Sequence, residues 1–335
     1  DHSSKTINHT MNQTKKFRLI AFFCLALATA FPTVKAENKA DADTLRLLYW
    51  NIQNGMWADQ PNNYDNFVEW VKGYDPDVCV WCEAQTIYKD GTTEACEIKD
   101  RYLTDNWGEV AARYGHSYWT KSGHRDNYPQ VITSKYPIEK ILDIVGEEPD
   151  SVVTHGACRA CIEVGGKRIN IVTLHTWPQA YAYRAEDREA SKAKREGDNY
   201  RRMEMEYICG HTILAEPDAA DQYWMMMGDF NSHSPRDNWY YKYPENDTRL
   251  MTQDYILHHT PYIDVIAERY PGQFFTTTYG KSRIDFIYCT RPLYDTIINA
   301  YIVNDRYTID PRADDKTYFH FPSDHLPILV DFRLK

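Results

Sequence analysis

Residues 225–232 read Met-Met-Met-Gly-Asp-Phe-Asn-Ser, and put a carboxylate and a carboxamide two positions apart at the end of an apolar run. Trp224 to Met227 is expected to be a strand buried on both faces. Gly228 is expected to let the backbone turn sharply. Side chains at i and i+2 of an extended chain point the same way. Asp229 and Asn231 should therefore stand side by side at a strand end, where active sites of α/β proteins lie. Other apolar runs meet polar groups in the same manner: Leu45 to Asn51, Val78 to Cys82 before Glu83, Arg168 to Leu174 before His175, and Asp324-His325 ahead of Pro327 to Phe332. Asp285 sits inside a further run, between Ile284 and Phe286. A charge in so apolar a strand needs a partner, and His325 can supply it. Singly, each carboxylate has a plain explanation as a turn former or helix cap; the interest lies in the set.

The elements that must position these groups alternate. A helical pattern over Asn63 to Tyr74, capped by Asn62 or Asn63 and stopped at Asp75-Pro76, follows the first strand after a Gln53-Asn54-Gly55 turn. Trp107 to Tyr114 is a short helix, Val131 to Ser134 a strand, and Cys158 to Val164 pairs with Arg168 to Leu174 as a hairpin about Gly165-Gly166. Tyr200 to Leu214 and Ile263 to Tyr270 are expected helices, and Ser282 to Thr290 and Ile297 to Val303 expected strands. Residues 184–202 carry seven basic and five acidic side chains, expected to form an exposed, solvated helix or flap rather than a phosphate site. Interleaved strands and helices with several hairpins imply mixed sheets covered by helices.

From Met11 the chain carries the marks of a secretory signal: Lys15, Lys16 and Arg18, then Leu19 to Phe31, then Val34-Lys35-Ala36 as a cleavage site. Thirteen apolar residues are too few to span a bilayer comfortably, so we expect an exported protein maturing after Ala36. Residues 37–335 suit a single catalytic domain. Their loss of five basic groups and one acidic group leaves 33 basic against 47 acidic residues, a net charge of −14. That lacks the positive field of non-specific nucleic-acid binding, although a bound cation can supply positive charge locally. Seven cysteines remain after cleavage. Cys79-x-x-Cys82 and Cys158-x-x-Cys161 have half-zinc-site spacing, but positions three apart on a strand face opposite ways. Buried thiols or one or two disulfides are expected instead.

Tyr49-Trp50-Asn51, Val80-Trp81-Cys82-Glu83, Leu174-His175, Gly228-Asp229-Phe230-Asn231, Arg283-Ile284-Asp285-Phe286 and Ser323-Asp324-His325-Leu326-Pro327 together resemble the endonuclease/exonuclease/phosphatase superfamily, in its order, over residues 45–335. The resemblance implies an α/β (α+β) fold: a four-layer, DNase I-like α-β-β-α sandwich of two mixed sheets with helices outside. It implies a metal-dependent phosphoester hydrolase. Asn51, Glu83 and Asp324 are then expected to hold Mg²⁺ or Mn²⁺, whose hard-oxygen preference they satisfy. Asp229, beside Asn231, would orient or deprotonate water. Asp285 would orient His325 as a carboxylate orients imidazole in hydrolases. His175 would bind a phosphoryl oxygen or act as general acid, and either Asp229 or His325 would be the base. Family members often have a glycine-containing stretch before Leu-Ser-Arg-Tyr-Pro. This chain has Tyr128-Pro129-Gln130 ahead of Thr133-Ser134-Lys135-Tyr136-Pro137, a departure that bears on substrate shape.

The expected substrate is a phosphoester: nucleic acid, slightly favoured, or a phospholipid headgroup such as that of sphingomyelin, or a small phosphorylated metabolite such as an inositol phosphate. Twenty-six tyrosines and nine tryptophans allow stacking on bases or sugars. No stable protein partner is expected, and the chain is expected to be a monomer. A binding module that has lost catalysis is the reading of another class; the presence of Glu83, Asp229 and His325 speaks against it.

Overall fold

The computed structural model describes residues 43–89, 94–97, 103–124, 128–147, 152–309 and 322–334. The segment expected to be a signal peptide, with Cys24, lies outside the described residues. Residues 41–335 cluster as one compact unit.

Two mixed six-stranded sheets form the frame. The first contains β1 (Thr44–Asn51), β2 (Val78–Cys82), β3 (Tyr118–Lys121), β4 (Val131–Ser134), β11 (Ile297–Ile302) and β12 (Ile328–Arg333), in the order β11-β12-β1-β2-β4-β3. The second contains β5 (Glu139–Ile144), β6 (Ala157–Val164), β7 (Lys167–His175), β8 (Tyr223–Asp229), β9 (Ile263–Asp264) and β10 (Asp285–Cys289), in the order β5-β6-β7-β8-β10-β9. Each sheet has one parallel pair among antiparallel neighbours. β1 runs parallel to β2 with Asn51 opposite Cys82, and β7 parallel to β8 with His175 opposite Asp229. A parallel pair needs a crossover; the Asp65–Tyr74 helix supplies the first and the Glu196–Gly210 helix the second. Both pairs therefore end together, with their polar residues at the same ends.

Period-two alternation explains the layers. On β8, Met225 and Met227 join a core that also holds Leu45, Leu47, Tyr49, Val78 and Val80 of the first sheet, so it lies between the sheets. Trp224 and Met226 face the other way, toward Met205, Ile208 and Ile256 of the covering helices. The outer face of the first sheet presents Leu48, Trp50, Cys79 and Trp81 to Phe67, Val71, Trp107 and Val110. That is the four-layer sandwich expected.

Several local expectations are corrected. The first helix runs Asp65–Tyr74 and no side chain of its N-cap residue Tyr64 caps it. Buried Asp59 does so from the preceding turn, accepting from the Phe67 N–H at 2.8 Å and from Asn62 and Asn66 side chains. The second helix is Leu103–Arg113 and the crossover helix Glu196–Gly210, each beginning earlier than its apolar pattern. Ile263–Asp264 is the short β9, and the helix after it covers only Val265–Arg269. Gly228 makes no turn: it lies inside β8, where a Cβ would come within 2.1 Å of the Leu174 carbonyl oxygen on β7. All seven described cysteines are free thiols and buried. Cys79 and Cys82 fall in different cores, as strand geometry requires.

Candidate active site

The described strand ends open into a cleft of about 780 Å³ whose lining includes Glu83, His175, Asp229, Asn231, Asp324 and His325. Asn51 is fully buried beneath it. Its amide Nδ2 lies 3.3 Å from Glu83 Oε1 and 3.1 Å from Asp229 Oδ2, joining the ends of the two sheets. All eight side chains singled out in the sequence meet here, over 275 residues of chain.

Glu83 follows β2 in a left-handed conformation, with φ of 54°. Its Oε2 accepts from the Asn54 N–H at 2.9 Å, and its carbonyl accepts from the Gly55 N–H at 2.7 Å. Gly55 has φ of 69° and no room for a Cβ, which would sit 2.5 Å from the Gln85 carbonyl carbon. Only glycine permits this approach without strain, so the Gln53-Asn54-Gly55 turn is a clamp on Glu83. Gln53 also accepts from the Asp324 N–H at 3.2 Å, bringing in the loop before β12.

Asp229 and Asn231 are neighbours for a different reason from the one expected. Asn231 is left-handed, with φ of 46°, not extended. Its N–H donates to Asp229 Oδ1 at 3.0 Å, and its side-chain amide donates to the Thr176 carbonyl at 3.1 Å. This fixes Asp229 with Oδ2 facing Asn51, His175 Nε2 (3.7 Å) and His325 Nε2 (3.7 Å). Burial and then the Asp285 charge push the Asp229 carboxyl up to about 8. Burial, followed by Asp324, also raises Glu83.

Asp285 has the partner its apolar strand demanded. His325 Nδ1 lies 2.7 Å from Asp285 Oδ2, and the Tyr49 hydroxyl donates to Oδ1 at 2.7 Å. Burial works to lower His325, but Asp285, Asp324 and Asp229 outweigh it and leave its pKa well above that of an ordinary histidine. His175 goes the other way: burial, then His155 and His325, hold it well below the usual value.

Asp229, Asp285 and His325 offer ligand atoms within 4.8 Å of one another. Both Asp285 oxygens in this trio already meet Tyr49 and His325. Glu83 and Asp324 line the cleft as hard oxygen donors, and the repulsion between them, which raises Glu83, is what a cation relieves. Glu83 would use the lone pairs left beside its bonds from Asn51 and Asn54, and the Asn51 carboxamide, whose oxygen accepts from the Gln53 N–H at 3.1 Å, lies buried behind them.

Sequence reasoning missed Tyr49, Gln53, His155 and Trp177. Tyr49 was legible by alternation, since it shares a strand face with Asn51. His155 and Trp177 lie in loops, where no period marks them. The stretch that departs from the resemblance does border the cleft: Tyr128 lines it, and buried Gln130 donates to the Tyr128 and His155 carbonyls at 3.1 and 3.2 Å.

A two-sheet sandwich with an oriented Asp-His pair and convergent carboxylates at its strand ends is the frame of a hydrolase. A model of the Endonuclease/Exonuclease/phosphatase family matches residues 48–325, and the chain belongs to that family of phosphoester hydrolases. Solved structures agree on the fold. An AP endonuclease from Archaeoglobus fulgidus superposes with a TM-score of 0.58 at 19% identity, over 86% of this chain and 99% of that one. The 3′ phosphatase NExo from Neisseria, bound to a product DNA hairpin, gives 0.53 at 16%, over 86% and 99%. The human Nocturnin catalytic domain, with a bound sulfate anion, gives 0.52 at 13%, over 87% and 93%. No curated protein matches in sequence.

Proposed function

We propose that this protein is an exported, divalent-metal-dependent phosphoester hydrolase in which Asn51, Glu83 and Asp324 hold Mg²⁺ or Mn²⁺. One observation carries the reading. Glu83, Asp229 and Asp324 line the cleft and Asp285 lies just behind; His325 is the cationic group set against them, and no lysine or arginine among the described residues lines it. An anionic phosphoester meets net negative charge there unless a cation intervenes. A bound dication would neutralise the non-bridging phosphate oxygens and the developing charge on the leaving oxygen.

The protein's own groups take the remaining roles. Asp229, raised toward neutrality and held by Asn231 and Asn51, suits a group that aims a water and accepts its proton, since a base works best with a pKa near the operating pH. His325, held protonated by Asp285, donates from Nε2 to a phosphoryl oxygen. His175 is kept neutral and serves as a phosphoryl-oxygen contact rather than as the general acid. Export is supported by the Met11 to Ala36 pattern, and is tested by sequencing the N-terminus of protein recovered outside the cytoplasm, expected at Glu37. The nuclease reading draws on the family and on the AP endonuclease and NExo likenesses. Hydrolysis of bis-p-nitrophenyl phosphate with Mg²⁺ or Mn²⁺, abolished by EDTA and restored by metal, is the expected result. Full activity in EDTA overturns metal dependence, and inactivity with either metal on DNA, RNA, sphingomyelin and inositol phosphates overturns the hydrolase.

A further inference from the structure

The backbone leaving β7 turns along the cleft rim, so that Trp177, Pro178 and Gln179 line the cavity beside His155. A buried polar seam on the Glu196–Gly210 helix grips this strap from behind. Glu204 accepts from the Thr154 N–H at 2.9 Å, the Thr154 hydroxyl at 2.7 Å and the Trp177 N–H at 2.8 Å. Arg201 donates to the Trp177 and Gln179 carbonyls at 2.8 and 2.9 Å and pairs with Asp198. The Gly197 N–H donates to the Ala180 carbonyl at 2.8 Å, and a Cβ on Gly197 would lie 2.0 Å from the Gln179 oxygen. Most charges of residues 184–202 are exposed, as expected of a solvated face, but Asp198 and Arg201 are turned inward, as is Glu204 beyond that stretch. Burying such groups is costly unless each is bonded, and the bonds formed fix the backbone on both sides of Trp177.

The indole itself is locked. Its Nε1–H donates to the Tyr181 carbonyl at 2.6 Å, and Tyr181 and Tyr183 pack against it at centroid distances of 5.7 and 5.1 Å, near-perpendicular. His155 lies 6.0 Å from it at 32°, and His155 in turn 4.5 Å from His175 at 37°, so a row of tilted rings leads from Trp177 to the residue facing Asp229. With its N–H satisfied, the half-buried indole stands in the cavity wall, held without further ordering cost.

We propose that Trp177 is the specificity-determining residue for the alcohol portion of the ester, and that this portion carries a flat-faced ring, nucleobase or sugar, that stacks on the indole, with Glu204 as a positioning residue. The proposal rests on the hydrolase reading and extends it to a substrate class.

Kinetics with adenosine 5′-monophosphate, glucose 6-phosphate and ringless glycerol phosphate test it in the full chain with Mg²⁺. For Trp177→Leu the KM of the ring-bearing esters should rise about 5- to 150-fold, the range of one lost stack, with kcat changed little and glycerol phosphate unaffected. Trp177→Phe should restore most of the loss, and Glu204→Gln should raise KM for the ring-bearing esters alone. An effect on the adenosine ester only assigns a nucleobase, and on the glucose ester only a sugar. If wild type hydrolyses glycerol phosphate but Trp177→Leu alters all esters equally, or none, stacking is overturned and the hydrolase stands. If wild type hydrolyses none of these monoesters, the hydrolase reading is left to the wider substrate panel and calorimetry decides the ring: tighter wild-type binding of phenylphosphonate than methylphosphonate, lost in Trp177→Leu, supports it, and equal affinities overturn it.

Discussion

His325 Nδ1 and Asp285 Oδ2 lie 2.7 Å apart, with Asp285 held from its other oxygen by the Tyr49 hydroxyl of the opposite sheet. The pair fixes both the charge and the direction of the imidazole, leaving Nε2 to face Asp229 and Asp324 at 3.7 and 3.8 Å. Asp285→Asn keeps the shape but replaces an acceptor by a donor toward Nδ1, so His325 loses its proton there and its positive charge. Turnover should fall by about 10²- to 10⁴-fold with the circular dichroism spectrum unchanged. Asp229→Ala and His325→Ala should each cost orders of magnitude too. A folded Asp285→Asn variant within a few-fold of wild type would refute the assignment.

Metal binding near neutral pH should release protons. Asp229 is pushed up to about 8, so the metal-free cleft holds its proton at pH 7, while a dication favours ionised carboxylates. Titration calorimetry in buffers of different ionisation enthalpy should read about one proton released per Mg²⁺ or Mn²⁺ at pH 7, falling as pH passes 8. Asp229→Asn should remove most of that release. The linkage sign follows: a carboxyl raised above its unfolded value stabilises the metal-free protein most below about pH 4, and that contribution is lost as pH rises through about 8. Binding without proton exchange at pH 7 would contradict this electrostatic picture.

How far the sequence disclosed this arrangement depends on the kind of signal. Trp224 to Met227 predicts a doubly buried strand because both of its faces meet apolar layers, and the polar residues that end such strands declare themselves by contrast. The Asp285–His325 pair was legible because a carboxylate inside an apolar strand has few ways to be satisfied. Contacts made by backbone conformation were not legible. Asn231 reaches Asp229 through a left-handed turn, and Gly228 is required by the Leu174 carbonyl on a strand more than fifty residues earlier. Asp198, Arg201 and Glu204 are buried although their segment is dense in charge, since composition does not reveal which side of a helix faces a loop.

Acid should destabilise the fold partly through a histidine remote from the cleft. His116 is buried, its Nε2–H donating to the Pro76 carbonyl at 2.9 Å and its Nδ1 accepting from the Thr133 hydroxyl at 2.8 Å, so it ties the approach to β2 to β4 as a neutral ring. Burial, above all, lowers its pKa to about 4. A histidine depressed below its unfolded value of about 6.5 contributes stability that is present above that value and lost as pH falls through about 4. The integrated effect is at most about 3 kcal/mol. Urea unfolding at pH 7, 6, 5 and 4 should show wild type losing its advantage over His116→Gln across that window, because glutamine keeps a donor for Pro76 but does not titrate. Parallel pH profiles for the two proteins would show that other groups carry the acid sensitivity.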